Sequence, residues 1–482
     1  MPRASPVAMA ILLLLGLGAA AHSSPDDEAQ RRFAAGSEQY RAGRLEPALA
    51  EFELARKAAP TDPLIHNWIG FVLLRLQRYE DAVAPLSEAV RLRSNYAEAH
   101  TNLGNALLSS GRAERALQSF LRAAELQPRS ANAHYNVGSA HSKLRQWREA
   151  TAAFRRAVAL NPTDQYTRNN LGFVLQQQGR TAEAASAYAA ATRLAPRDPM
   201  FWQNLGLAFI DLRRFTEARR ALQTAVDLDP QQYGARLALA DTLVELRQAT
   251  AAIAHYEKAL ALRPSEHAPA LALGALHLRS GATARAIAAY RRALAARPGN
   301  VAALNGLGQA LFEAGEMTEA RDVFRTLTET NPNSADAWAN LGSALARTGD
   351  PGSAAAAWEA ALERDPRRAD VRRWLAATYY AKGDLDRAER EYRRSLRDAP
   401  SSAEALTGLG LVLDRRGRTQ EAIALYRRAL KADPRYDYAH NNLGVAYERQ
   451  GKVDLAIAAY RRALELNPAN ADARRNLGRF QR

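Results

Sequence analysis

Apolar residues along this chain fall in paired stripes. Between Ala131 and Leu160, Val137, Ala140 and Leu144 recur at three- and four-residue spacing; after a polar break at Arg145-Gln146, Ala150, Phe154, Ala157 and Leu160 do the same. Such spacing predicts two amphipathic helices in succession, each with one apolar face. The pattern then repeats. Pro60, Pro128, Pro162, Pro196, Pro230, Pro264, Pro298, Pro332, Pro366, Pro400, Pro434 and Pro468 stand 34 residues apart or, once, 68, where Ser94 takes the grid position. Numbering that Pro as position 32 gives thirteen full repeats over 29–470 and a remnant from Ala471 to Arg482. An internal period overrides the length-based expectation of about three globular domains.

Other positions keep the same register. Position 8 is Gly in twelve of fourteen occurrences, with Ala240 and Ala376 as the exceptions, and position 20 is Ala in all thirteen. Position 24 is always large, as in Phe52, Leu86, Phe120, Tyr188 and Trp358. Gly at position 15, in nine repeats from Gly43 to Gly451, predicts the end of the first helix, and the Pro at 32 follows the end of the second. Asp62, Ser130, Asp164, Asp198, Asn300, Ser334, Ser402 and Asn470 are placed to cap the next first helix. A Gly inside a helix costs about 1 kcal/mol relative to Ala. Its recurrence at position 8 therefore predicts close packing, with Ala at position 20 expected opposite it. Pro85, in the middle of a second helix, predicts a kink.

The residues Asn136-Val137-Gly138, Ala150, Phe154, Ala157 and Pro162, and equally Trp338, Leu341-Gly342, Ala354, Trp358, Ala361 and Pro366, resemble the tetratricopeptide repeat. The resemblance runs from Ala29 to the end of the chain. It implies an all-α, right-handed superhelical solenoid of antiparallel helix pairs, with first helices lining a concave groove and second helices outside. It also implies a binding scaffold and not an enzyme. Arg32 and Ala34 mark the first repeat as a degenerate cap, and residues 471–482 read as a polar C-terminal capping helix.

Composition adds an address. Arg3 precedes an apolar run from Val7 to Ala21 that closes on Ala19-Ala20-Ala21 before His22. This is the plan of a secretory signal peptide over residues 1–21, followed by a short polar linker over 22–28. The run is shorter than the ~20 residues a membrane-spanning helix needs. The chain has no cysteine, which removes disulfides and thiolate chemistry and suits an oxidising compartment. The expected destination is the bacterial periplasm or beyond, and the export signal argues against nucleic acid as the partner of a chain with net charge +15.

Candidate chemistry lies on the first helices. Positions 2, 6, 9 and 13 share a stripe. Position 6 holds Asn102, Asn136, Asn170 and Asn204 in consecutive repeats, then Asn340, Asn442 and Asn476. Asn is a poor helix former, and its amide both donates and accepts, which suits a peptide backbone of any sequence. The repeats resemble those of O-linked N-acetylglucosamine transferase, and the resemblance implies that such asparagines hold an extended client backbone. A bond from each Asn to the neighbouring helix is the competing expectation. Tyr166 and Phe173 are expected as groove anchors, with Tyr438, Phe71, Trp68 and Trp374 on the same stripe; the two Trp equally fit packing between first helices. His66, His100, His134 and His440 recur at position 4, but neighbouring helix axes lie ~8–10 Å apart, too far for a shared metal. No cofactor is implied: Gly306-Leu307-Gly308 and Gly408-Leu409-Gly410 mimic a nucleotide loop but fall inside helices. Arg pairs at positions 25–26, such as Arg427-Arg428 and Arg461-Arg462, would lie outside. They offer the alternative of an anionic envelope polysaccharide or lipid surface as partner, in place of a protein or peptide client.

Overall fold

A computed structural model describes residues 25–480. The expected leader lies outside these residues. Among them are 27 helices, numbered α1 (Pro25–Arg41) to α27 (Ala471–Gly478) in chain order. Odd-numbered helices are the first helices of the repeats, over positions 1–13, and even-numbered ones the second, over positions 17–30. Helix α1 begins at Pro25, inside the expected linker, because Pro suits the first turn and Asp26, Asp27 and Glu28 complement its dipole.

The chain divides into two compact units at Leu246/Arg247, the turn of repeat seven. In the first, each first helix from α1 to α11 (Pro199–Asp211) packs on its own second helix, each second helix on the next first helix, and α3 (Pro63–Arg75) on α5 (Ala97–Ser109). The second unit is built the same way from α14 (Ala249–Leu262) onward, with α21 (Ala369–Ala381), α23 (Ala403–Arg415) and α25 (Asp437–Arg449) in sequential contact. Each unit is thus the all-α solenoid of antiparallel hairpins that the period predicts, with every element touching only near neighbours in sequence.

The local signals act as read, with one correction. All eight expected cap residues accept a backbone N–H at the start of the following helix. All nine position-15 glycines have positive φ, and Gln77, Arg145, Arg213 and Arg247 take the same left-handed conformation where Gly is missing. The correction concerns position 8. The absent side chain there makes room for the large residue at position 24, not for the Ala at 20: a Cβ on Gly138 would lie 2.8 Å from the Phe154 ring, and one on Gly172 2.7 Å from Tyr188. Pro85 sits buried inside α4 (Tyr79–Leu92), which continues past it as a single helix.

Candidate functional site

The first-helix side chains divide into those that hold repeats together and those left facing outward. Position 4 belongs to the first group. Nε2 of His66, His100, His134 and His440 donates to the carbonyl six residues earlier, 2.8–3.1 Å away. Arg168 and Arg372 guanidinium groups and Trp202 and Trp338 indole N–H groups donate to the equivalent oxygen. The carbonyl belongs to position 32, at the end of the preceding second helix, and has no helical partner of its own. Among the described residues no group of three or more His, Asp or Glu could hold a metal ion.

The position-6 asparagines make their first bond inward. Asn102 is 7% exposed and donates to Asn67 Oδ1 at 2.9 Å. Asn204 donates to Asn169 at 2.8 Å, Asn340 to Asn305 at 3.2 Å, Asn476 to Asn441 at 3.0 Å, and Asn170 to the Tyr135 hydroxyl at 3.0 Å. The partner is always position 5 of the preceding repeat, 35 residues back. These bonds use one amide N–H and leave the side-chain oxygen of Asn102, Asn170, Asn204 and Asn340 unused. Asn136 is half-buried and has no such bond; Asn442 accepts from Asn441 at 3.4 Å.

Of the expected anchors, Tyr166 and Phe173 share helix α9 (Gln165–Gln177) and are 49% and 44% exposed. The Tyr166 ring meets Phe201 edge-on at 5.7 Å, and the Phe173 ring meets Trp147 at 6.2 Å. Trp68 packs among Phe33, Tyr40, Phe52 and Phe71 with centroids 5.5–6.1 Å away, so it belongs to the first unit's core. Gly306 and Gly408 lie inside helices against the rings of Tyr290 and Tyr392, which leaves no phosphate loop.

Two hollows open on this stripe in the second unit. The larger, about 760 Å³, lies across α17 (Val301–Ala314), α19 (Ala335–Arg347) and α21. Phe312, Trp374, Ala346, Ala377 and Ala381 give it an apolar lining, and Asn340, Ser343, Glu313 and Arg347 stand among them. Trp374 leans on the buried Trp358 at 6.1 Å, so its ring both packs and faces the hollow. The smaller, about 300 Å³, lies across α21, α23 and α25, where Asn442, Arg415, Arg449, Asp414, Tyr380 and Tyr426 line it. Asp414 is buried and receives Thr419 Oγ1 and Arg449 Nη1, both at 2.8 Å. The buried Tyr426 hydroxyl has no hydrogen-bond partner, and burial, reinforced by Asp414, pushes its pKa up. Asn340 and Asn442 therefore line cavities, whereas Asn102, Asn136, Asn170 and Asn204 lie in the first unit. Both hollows include position 12, a register outside the expected stripe; the signal for it was the pair of aromatics at that position, Phe312 and Tyr380.

One member of several outer Arg pairs is engaged locally. Arg155 bonds Glu183 at 2.9 Å and Arg291 bonds Glu319 at 2.7 Å, each reaching the next repeat. Arg427 donates to the Tyr447 hydroxyl at 2.9 Å, and Arg462 pairs with Glu465.

The profile of the cilia and flagella-associated protein 70 C-terminal domain, a tetratricopeptide family, matches residues 28–272 and again 265–478. No curated protein matches. Among solved structures, the chain is similar to YrrB, described as a tetratricopeptide protein with an unusual peptide-binding site. Identity is 26% over 38% of this chain and 95% of that one, with a TM-score of 0.35. It is also similar to the Cut9–Hcn1 hetero-tetramer of the APC/C, at 13% identity over 95% and 98% of the two chains and a TM-score of 0.41. A tetratricopeptide repeat protein from Parabacteroides merdae is 18% identical over 52% and 100%, with a TM-score of 0.43.

Proposed function

The chain belongs to the tetratricopeptide-repeat family, and from that premise we propose that it is an exported, non-enzymatic scaffold that captures a polypeptide segment of a client protein along its first helices. The family is one of protein-interaction arrays. The observation that carries the peptide reading is the division of labour at position 6. The amide N–H ties neighbouring helices while the side-chain oxygens of the half-buried Asn170 and Asn204 remain available to accept client N–H groups. Beside them Tyr166 and Phe173 expose ring faces on which a client side chain can rest.

Replacing Asn136, Asn170 and Asn204 together by Ala tests this. Each lost client bond is worth ~0.5–1.5 kcal/mol, so client capture should weaken roughly 10- to 1,000-fold. The internal bonds of Asn170 and Asn204 are lost as well, so the melting point should fall slightly; Asn136→Ala alone, with no internal bond to lose, should weaken capture at an unchanged melting point. Retention of every client by the triple variant would remove the groove as the capture surface. Export rests on the leader: a reporter fused to residues 1–30 should be processed and the mature chain should begin at His22. Recovery of the intact Met1 terminus on a cytoplasmic protein would overturn it.

A further inference from the structure

We infer that the second unit selects its client segment by composition: a bulky apolar side chain seated between α17, α19 and α21, followed by acidic side chains running toward α25. The inference rests on the groove reading above and names the client chemistry for one part of it.

Apolar surface left open on a soluble array is destabilising until something covers it, and the 760 Å³ hollow is of ligand-site size. Its apolar lining is the half-buried Phe312 and Trp374 with small exposed residues, Ala346, Ala377 and Ala381, where most first helices carry larger ones. Small side chains on two neighbouring first helices, α19 and α21, make room that an inserted ring or branched chain fills, the arrangement in which a buried apolar anchor dominates binding.

Charge selects what stands beside that anchor. Position 13 forms one edge of both hollows and reads Arg279, Glu313, Arg347, Ala381, Arg415 and Arg449 from repeat eight to thirteen. Arg449 alone among these cations pairs with a carboxylate, Asp414. Arg347 lies 5.7 Å from the centroid of the Phe312 ring and Arg415 5.5 Å from that of Tyr380, in each case a position-13 guanidinium over the position-12 ring one repeat back. A ring face holds a cation in place without neutralising it. The edge therefore presents fixed positive charge next to an apolar hollow, and in the smaller hollow the unpartnered Tyr426 hydroxyl adds a donor. Along the two linings the cations Arg347, Arg415 and Arg449 outnumber the carboxylates Glu313 and Asp414, and that excess fits client carboxylates. With helix axes ~10 Å apart and an extended chain rising ~3.3 Å per residue, one repeat corresponds to about three client residues.

The test uses the full chain and fluorescein-labelled peptides amidated at the C-terminus, so that only side-chain carboxylates are read. The probe peptide is Phe-Leu followed by six residues alternating Ser with Asp or Glu. Comparison peptides replace Phe-Leu by Ala-Ala, or the acids by Lys. Fluorescence anisotropy should rank the probe at least tenfold tighter than either, which is about 1.4 kcal/mol. Ala377→Trp or Ser343→Trp, filling the hollow, should abolish the advantage of Phe-Leu over Ala-Ala while leaving the melting point unchanged. The double variant R347E/R415E should lose the acidic peptide and gain the Lys peptide, a reversal that mere destabilisation cannot produce. Equal affinity for the three peptides, no binding of the probe, or a Trp-filled variant that still prefers Phe-Leu would each overturn the inference. If the peptides bind alike yet all are lost from the Asn triple variant, the groove reading stands and only this selection rule fails.

Discussion

Helical glycine at position 8 is unfavourable by itself, and its worth comes from the residue sixteen positions on. The Phe154 ring is 1% exposed and occupies the space a Gly138 side chain would need. Gly138→Leu should therefore cost about 1–3 kcal/mol by overpacking, and Phe154→Ala about 3–5 kcal/mol by leaving a cavity. In the double variant the new Leu should refill part of that cavity, so urea melts should give a loss smaller than the sum. Strict additivity would mean that the two do not share the space. The sequence displayed this pairing as Gly at 8 with a large residue at 24, but it equally fitted a Gly–Ala contact, because spacing says which positions share a face and not which side chain crosses the interface. Position 4 was legible only in hindsight: His, Arg and Trp look unrelated until their common N–H is aimed at one carbonyl. His134→Arg should accordingly keep the melting point, whereas His134→Leu should lower it slightly, by the ~0.5 kcal/mol of an exposed bond. The Asn pairs were written more openly. Asn67, Asn169, Asn305 and Asn441 at position 5 are each followed 35 residues later by an Asn at position 6.

At the scale of the helix, boundaries followed from caps and left-handed turns because those signals are local. At Pro85 the helix α4 runs on within its hairpin with α3, so tertiary contact outweighs the local penalty of an interior Pro. The second helices also carry a charge device that composition alone could not order. Arg180, Arg214 and Arg418, just before the first turn, bond Glu183, Glu217 and Glu421 three residues on. Each of these carboxyls is held below the usual Glu range, in the first place by its Arg hydrogen bond. A folded pKa below the unfolded one means that the stabilisation is present above about pH 4.3, the ordinary Glu value, and disappears as pH falls through the folded values. Thermal melts should therefore drop on the acid side of that point. The variant R180Q/R214Q/R418Q should melt slightly lower at pH 7 and show a flatter acid limb, and added salt should shrink the difference because the pairs are exposed. An unchanged acid limb in that variant would assign the acid sensitivity to other carboxylates, such as Asp370 beside Arg368.

For the molecule as a whole, the period settles how stability is distributed. Each unit is a row of hairpins whose helices contact those one or two places away in sequence, so there is no single core whose loss unfolds everything. Stability should behave as repeat terms plus nearest-neighbour interface terms. Ala150 is fully buried at the position that is Ala in all thirteen repeats, and Ala150→Leu should overpack repeat four by about 1–3 kcal/mol. Native-state hydrogen exchange then has a predictable map. Protection should fall most over residues 131–164, less over the flanking repeats at 97–130 and 165–198, and hardly at all in the unit that begins at Arg247. Raising the denaturant should widen the affected window outward from repeat four in steps of one repeat, because each opened hairpin exposes the face of the next. A uniform loss of protection across residues 25–480 from this one substitution would mean that the array opens as a single cooperative body, and would refute the nearest-neighbour account.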